Sequence, residues 1–313
     1  MRKWIAFTLL ISMQLSANDS TGYVLTNGIE YLKSKDIQML SEDLFISKKI
    51  IKVDYQFKNL TAKDVTETIL FPLPRIDNFF DGGDFANTKK LLQTFKVNVD
   101  GKDIQPNMNV RTFIQKDENT AAIDTTELFK QCGFSETEML NPWNRKSYEY
   151  LDSEKKLRNC KKTEMQNILK AFKDDVIPWS SQVIYSWKQT FKANSLTRVK
   201  HQYAPLVGGS VAVHLPENAK TYCTDQSFIA ALKKAQLEQA PYSALGYVLK
   251  TGANWAKPIE NFKLTIERDS KELFSFCWAG KVKKISPTQF QMVEKNFVPK
   301  HDLNIIFVHA RDE

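Results

Sequence analysis

The sequence predicts a mainly β protein with a helical insertion, an α+β chain that contains two antiparallel β-sandwich-like regions. Several short segments alternate apolar and polar residues, which is the pattern of half-buried strands. A central stretch, residues 116–178, changes to helical spacing and is rich in lysine and glutamate. The first seventeen residues differ from both and are typical of a cleavable export signal.

The export signal predicts where the protein works. The chain begins with Met1-Arg2-Lys3, continues with a mostly apolar run over residues 4–13, and reaches small residues at Ala17. This layout is typical of a secretory signal and is too short to span a membrane comfortably. An uncleaved anchor or a buried N-terminal strand is the alternative. We therefore predict a periplasmic or secreted protein whose mature chain begins at residue 18.

Residues 18–115 are predicted to form the first sandwich-like domain. From Ile51 to Phe57 every second residue is apolar, and a second strand is expected over residues 65–71. Residues 95–99 alternate again and run into Asp100-Gly101, a strong two-residue hairpin signal.

Residues 116–178 are predicted to form the helical insertion. Asp124 and Glu127 stand three apart ahead of an apolar pair, in a partial match to a capping box. Helices are expected over residues 148–157 and 165–172, and Pro178 is expected to close the segment.

Residues 179–313 are predicted to form the second sandwich-like domain with one helix. Asp225 is suited to cap that helix, whose apolar face carries Phe228 and Leu232. The predicted strands lie at residues 183–187, 199–203, 247–249, 262–266, 290–292 and 303–307.

The four cysteines are widely spaced and form no C-x-x-C pair, so neither a zinc site nor a thioredoxin-like redox motif is indicated. In an exported chain two disulfides are the natural expectation. The least tangled pairing joins Cys132 to Cys160 and Cys223 to Cys277, although three connectivities are open.

Charge and hydropathy restrict the partners. The net charge of +8 becomes +6 once Arg2 and Lys3 leave with the signal, a weak bias toward acidic glycans or lipid headgroups. Nucleic acid is disfavoured because export removes that target and no basic-aromatic motif is present. No second apolar run is long enough for a membrane span in the mature chain.

Long strings of the sequence resemble a bacterial exported family. They include "KIIKVDYQFKNLTAKDVTETILFPLP" at residues 49–74, "IQMLSEDLFIS" at 37–47 and "YVLKTGANWAKPIENFKLTI" at 247–266. The family is the one described as domain of unknown function 4424, and the match extends over nearly all of the mature chain. The resemblance implies an exported globular protein and carries no activity, ligand or catalytic residue.

A fainter resemblance concerns the N-terminal part alone. Two strands around an Asn-containing turn, the string "FPLP" and a strand leading to "VDGK" at residues 99–102 look like the vault/inter-α-trypsin-inhibitor domain. That domain is a β-rich interaction module, but a shared topology does not establish function.

The common catalytic motifs are absent from the sequence, including H-E-x-x-H, G-x-S-x-G, the P-loop and G-x-G-x-x-G. Gly208-Gly209-Ser210 is read as a tight turn at the start of a strand. No ligand spacing relates neighbouring histidines, so we predict no metal site; the four are His201, His214, His301 and His309.

Two acidic pairs are candidate sites in the sequence. Asp81 and Asp84 flank two glycines and offer too few oxygen ligands for calcium, so a solvated turn is favoured. Glu42 and Asp43 are adjacent on a predicted strand and point to opposite faces, which argues against a close catalytic dyad.

Trp255 is the best candidate binding residue. It lies in a turn-rich segment between two strands, with Lys250 and Lys257 nearby. An exposed aromatic ring beside cations is suited to stack on a sugar or anchor a peptide. The alternative, which we favour, is that the ring covers the core.

We therefore predict an exported, non-catalytic binding or interaction protein that needs no cofactor. Its expected partner is a protein or glycan of the cell envelope. The competing hypothesis is a secreted hydrolase whose site is assembled from residues distant in sequence, which a deep cleft with converging carboxylates, His or Ser would favour.

Overall fold

A computed structural model describes residues 20–25, 28–77, 88–117, 120–140, 149–173, 175–177 and 179–310 of the chain. The predicted signal, residues 1–17, and the loop at residues 81–84 lie outside the described residues. Within them no helix has both the length and the apolar character needed to cross a membrane.

Strands dominate the described residues, and the prediction of a mainly β chain with few helices is confirmed. The strands are β1 (Ser20–Leu25), β2 (Gly28–Leu32), β3 (Ile37–Ile46), β4 (Ile51–Asn59), β5 (Val65–Pro72), β6 (Ile76–Asp77), β7 (Lys96–Val99), β8 (Lys102–Ile104), β9 (Asn107–Ile114), β10 (Ile123–Asp124), β11 (Trp179–Phe191), β12 (Leu196–Tyr203), β13 (Gly208–Ser210), β14 (Tyr242–Tyr247), β15 (Ile259–Glu267), β16 (Leu273–Phe276), β17 (Lys283–Lys284), β18 (Gln289–Phe297) and β19 (Leu303–Val308).

The helices gather mainly between β10 and β11 and between β13 and β14. They are α1 (Thr88–Thr94), α2 (Thr126–Gln131), α3 (Glu136–Met139), α4 (Glu149–Arg158), α5 (Thr163–Leu169), α6 (Leu215–Tyr222) and α7 (Gln226–Lys234), with 3₁₀ turns at Lys170–Phe172 and Lys250–Asn254.

Within the described residues the strands form three sheets. Sheet one has the order β10-β9-β11-β5-β1-β2, with β6 also paired to β11. Sheet two has the order β17-β18-β15-β3-β4-β12-β7-β8, and sheet three has the order β13-β14-β19-β16. Their pairings are antiparallel except for β3 with β15, which run parallel.

Sheet two is the shared layer of the fold, because sheets one and three both pack on its inner face. Phe57 of sheet two meets Phe191 of sheet one with ring centroids 5.8 Å apart. Toward sheet three, the Tyr55 and Tyr247 hydroxyls are 3.3 Å apart. Buried side chains from all three sheets therefore belong to one large core cluster, and a second, smaller cluster packs Ile306 and Val308 of sheet three against Phe228 and Leu232 of α7.

Sheets one and two contain strands from both predicted sandwich domains. In sheet one β5 pairs with β11, and in sheet two β4 pairs with β12 and β3 pairs with β15. The segments 18–115 and 179–313 are thus hydrogen-bonded into the same sheets. The predicted domain boundaries separate two segments of the chain, whereas sheets one and two each contain strands from both segments.

The predicted helical insertion contains α2 to α5 and packs on sheet one. Phe129 of α2 lies with its ring centroid 5.0 Å from that of Trp179 on β11. The disulfide Cys132–Cys160 joins the end of α2 to the segment after α4, and Cys223–Cys277 joins the end of α6 to the segment after β16. The two disulfides join the cysteines in the same pairs as the prediction.

Two local predictions differ from the structure, and two helices have no counterpart among the predictions. Asp124 does not cap α2 with Glu127; it belongs to β10, and its carboxylate binds Arg111 and Thr126. Gly208 and Gly209 lie in strand β13, which pairs with β14, and not in a turn. The neighbouring strand comes so close to Gly209 that a Cβ there would lie 2.1 Å from the Tyr242 carbonyl oxygen. Helices α1 and α6 were not predicted, since seven and eight residues are too few for a clear period.

Candidate functional site

The outer face of sheet two, the face turned away from sheets one and three, is polar and largely exposed. On β4 and β12 every second residue is buried, and the residues between them point outward. The outward side chains of these two strands include Asp54, Gln56, Arg198 and Lys200. Strict alternation of this kind is what a sheet with one covered face requires.

A cleft with a volume of about 270 Å³ opens on this face. Side chains from β12, β4, β3, β15 and β18 line it, and charged or amide groups predominate among them. Val293 is the aliphatic member and is 58% exposed. The site is therefore assembled from five strands that are distant from one another along the chain.

Charged residues of both signs lie opposite one another on the four central strands of sheet two. In the sheet register Lys263 lies opposite Asp43, Asp43 opposite Asp54, and Asp54 opposite Lys200. Lys263 forms an ion pair with Asp43. Arg198 Nε donates to Asp54 Oδ1 at 2.8 Å, and Lys200 Nζ lies 3.6 Å from Asp54 Oδ2.

The order across the four central strands is thus positive, negative, negative, positive. Two carboxylates directly opposite each other on neighbouring strands repel, and the flanking cations offset that cost. The hydrogen bonds to Asp54 also raise the pKa of the Arg198 guanidinium above its ordinary value, so this group stays charged.

A β-bulge shapes one end of the cleft. The register between β3 and β4 shifts between Met39 and Ser41, which places Leu40 as the extra residue. Asn261 Nδ2 lies 3.4 Å from the Leu40 carbonyl oxygen, and Lys295 donates to Asn261 Oδ1. Bulges bend a strand and re-aim its side chains, and Ser41, directly after the bulge, lines the cleft.

The comparison with protein families decides the family. The profile described as "Domain of unknown function (DUF4424)" matches residues 17–306. The chain belongs to this family. The family resemblance seen in the sequence is therefore confirmed, whereas that of the N-terminal part to the vault/inter-α-trypsin-inhibitor domain stays a prediction.

Solved structures resemble this DUF4424 chain only distantly. A candidate nutrient binding protein from Legionella pneumophila is 14% identical, with 94% of this chain and 70% of that chain covered and a TM-score of 0.48. Yeast LTA4 hydrolase is 12% identical, with 88% and 29% covered and a TM-score of 0.32. An M1 zinc metallopeptidase from Deinococcus radiodurans is 9% identical, with 88% and 43% covered and a TM-score of 0.24.

These TM-scores are too low for the likeness to carry any functional argument. The chain spans 29% and 43% of the two enzymes' chains. A search of curated proteins finds no match.

The DUF4424 structure places the predicted binding residue Trp255 in the core. Trp255 is 1% exposed, and its ring centroid lies 4.5 Å from that of Phe57 and 6.4 Å from that of Phe191. A ring that stacks on a sugar or peptide needs a face in solvent, and Trp255 has almost none, which fits the alternative that the ring covers the core. Lys250 is half-buried and Lys257 is exposed, and neither lines the cleft.

Glu42 and Asp43 point to opposite faces of β3, as predicted for neighbours on a strand. Glu42 is 1% exposed and lies opposite Tyr55, whereas Asp43 faces outward and pairs with Lys263. The two carboxylates therefore have separate environments.

The histidines do not gather at the cleft. His201 is 2% exposed and is surrounded by aromatic rings, with its centroid 4.8 Å from that of Phe71 and 5.5 Å from that of Trp187. Among the described residues no group of three or more His, Cys, Asp and Glu side chains is placed to hold a metal ion.

Of the charged cleft residues Asp43, Asp54, Arg198 and Lys263, only Asp43 was named as a candidate from the sequence; the other three were missed. Each of the three lies at an outward position of an alternating strand, which was visible in the sequence. Their convergence depends on which strands are neighbours, and above all on the parallel pairing of β3 with β15, which no local pattern announces.

Proposed function

We propose that this protein is an exported, non-catalytic binding protein and that the cleft on the outer face of sheet two is its ligand site. The observation that carries the proposal is the cleft itself, in which neighbouring strands hold fixed charges of both signs around one concavity. Export is supported by the N-terminal pattern of the sequence and by the two disulfides.

The composition of the cleft favours binding over hydrolysis. Hydrolysis needs a nucleophile beside a base, or a carboxylic acid placed to donate a proton. The carboxylates of Asp43 and Asp54 are held in ion pairs with Lys263 and Arg198. Ser41 is the only hydroxyl group among the lining residues, and none of them is histidine or cysteine.

The charge order suggests a small solute that carries both an amino and an acidic group. An ammonium group placed between Asp43 and Asp54 would relieve their repulsion. A carboxylate or phosphate of the same molecule would then meet Arg198 or Lys263, and Arg is the side chain best suited to grip such a group with two hydrogen bonds. At about 270 Å³ the cleft is smaller than the sites of about 300–1,000 Å³ that hold drug-sized ligands.

Isothermal calorimetry and thermal shift with free amino acids, dipeptides and phosphoethanolamine test the proposal. We expect at least one of these solutes to bind and to raise the melting temperature. Asp54→Asn and Arg198→Gln should each weaken that binding by about tenfold or more, since each leaves a charged group of the ligand unpaired.

The matched control is the exposed ion pair of Lys192 with Asp64, which lies outside the cleft. Asp64→Asn and Lys192→Gln should leave the affinity unchanged. The proposal fails if no solute binds, or if cleft and control variants lose affinity equally. A protein or glycan of the envelope stays the partner predicted from the sequence, and capture from the envelope fraction addresses it separately.

A further inference from the structure

The outermost strands of sheet two carry an unusual mixture of charge and exposed aliphatic surface. We call this surface the basic edge and define it as residues 281–285 together with Val293 and Lys295. Residues 281–285, the sequence Lys-Val-Lys-Lys-Ile, are all exposed. Val282 is 42% exposed and Ile285 is 41% exposed.

The positive charge of the basic edge is poorly compensated. In the part of the chain that the structure describes, no ion pair involves Lys281, Lys283 or Lys284. Glu294 is the one carboxylate in the sequence between residues 277 and 300. The Glu294 carboxylate lies directly against the backbone at Gly280, since a Cβ built on that glycine would be 2.0 Å from Glu294 Oε1.

Protection of a sheet edge explains only part of this pattern. Lysines on an edge strand discourage edge-to-edge pairing between molecules, and that role suits Lys283 and Lys284 on β17. It does not suit Val282 and Ile285, because exposed aliphatic residues on an edge promote the pairing that the lysines oppose.

We infer that the basic edge docks onto an anionic lipid surface. Lysines close to such a surface are drawn to its headgroups, and interleaved aliphatic side chains enter the boundary between headgroups and acyl chains. An acidic polysaccharide would use the lysines and leave Val282 and Ile285 without a role. The basic edge shares Val293 with the cleft, but the inference is argued from residues 281–285 and needs no ligand in the cleft.

Vesicle co-sedimentation tests the inference, with vesicles of phosphatidylcholine alone or mixed with phosphatidylglycerol. We expect the purified protein to bind the mixed vesicles and to be released by salt. Replacing Lys281, Lys283 and Lys284 by Ser should lower the partition coefficient at least about tenfold, since each lysine near an anionic surface contributes to binding. Val282→Ser with Ile285→Ser should also lower it.

The matched control removes the same charge elsewhere, by replacing the exposed Lys161, Lys162 and Lys173 of the helical insertion with Ser. All variants are compared in one N-terminal background, so any contribution of residues 1–17 cancels. Circular dichroism verifies that each variant is folded. If the lysine variant does not fold, the variant Val282→Ser with Ile285→Ser still decides the test. Equal binding to both vesicle types, equal loss in the control, or no effect of the aliphatic pair would each overturn the inference.

Discussion

Trp255 is buried because the chain on both sides of it is tied to sheet two and its surroundings. The backbone N–H of Ser34 donates to the Asn254 carbonyl at 2.8 Å, and the backbone N–H of Ala256 donates to the Ile37 carbonyl at 3.0 Å. With its neighbours held in this way, the indole enters the space between sheets one and two. Turn-forming residues around it predicted a loop correctly but did not show which way the ring points.

Trp255→Ala is expected to lower the free energy of unfolding by about 3–5 kcal/mol, because it leaves a large cavity between two sheets. Urea unfolding followed by circular dichroism measures the change. Lys257→Ala, two residues away and exposed, should stay within about 0.5 kcal/mol of wild type. A Trp255 variant that kept full stability and lost ligand binding would instead support a direct role of the Trp255 ring in binding.

The Asp124 side chain is 33% exposed, and its carboxylate accepts hydrogen bonds from several donors. Arg111 Nε donates to its Oδ2 at 3.0 Å, and the backbone N–H of Thr126 donates to its Oδ1 at 3.0 Å. Burial by itself would raise the pKa of Asp124, but attraction to Arg111 and the hydrogen bonds from Thr126 and Arg111 outweigh it. The pKa therefore lies below its ordinary value.

A lowered folded-state pKa sets the sign of the pH dependence. The stability from Asp124 is present above its unfolded-state pKa and is lost as the pH falls through the folded-state pKa. At neutral pH we expect Asp124→Asn to lower the free energy of unfolding by about 1–3 kcal/mol, because it leaves the partly buried Arg111 without its counter-charge. Urea unfolding over a pH series should show this deficit shrinking in acid.

The comparison variant is Asp64→Asn, which breaks the exposed ion pair with Lys192. Solvent screens such a pair, so its loss should have a much smaller effect on stability at every pH. A deficit for Asp124→Asn that did not change with pH would contradict the assigned ionisation.

At the scale of elements, the helical insertion depends on its disulfide more than on its individual helices. Helices α2 and α3 have six and four residues, too short to be stable alone. The insertion is held by Cys132–Cys160 and by the packing of Phe129 on Trp179.

Cys132→Ser with Cys160→Ser is expected to reduce stability by about 3–4 kcal/mol, the chain-entropy value for a loop of this separation. Hydrogen exchange read by mass spectrometry should show lost protection in residues 126–172 while the strands of sheet two stay protected. The matched variant, Cys223→Ser with Cys277→Ser, should expose residues 215–234 and spare the insertion. Equal loss of protection throughout the chain in both variants would contradict this local assignment.

At the scale of the whole molecule, the sheets unite segments that the sequence separates. Strand β3 is held between β4 and β15, and β4 is held between β3 and β12. Strands β3 and β4 therefore each have one of their two neighbouring strands in the segment beyond residue 178. Sheet two thus combines strands from residues 37–104 with strands from residues 196–297.

A fragment of residues 18–115 is accordingly expected to remain unfolded, because β3, β4 and β5 each lose a neighbouring strand. Far-UV circular dichroism during urea titration should show no cooperative transition, whereas the full chain should show one. Cooperative unfolding of the fragment would contradict this expectation and show that residues 18–115 fold without the rest of the chain.

Several local features were therefore predicted from the sequence, whereas the pairing of distant segments was not. The alternation in β4, the capping of α7 by Asp225 and the hairpin turn at Asp100-Gly101 all match, with both turn residues at positive φ. Each of these features depends on residues a few positions apart, so the sequence displays it directly. Trp255 and the cleft depend on contacts between distant segments.

Taken alone, the order of amino acids determined that the chain is mainly β, that its outward strand positions are polar, and that its family is DUF4424. It also pointed to the two disulfides. Only the tertiary structure decided that Trp255 is buried, that Asp43, Asp54, Arg198 and Lys263 surround one cleft, and that the basic edge is exposed. The physical reason is that strand periodicity is a local property, whereas the choice of neighbouring strand is made by packing between residues more than a hundred positions apart.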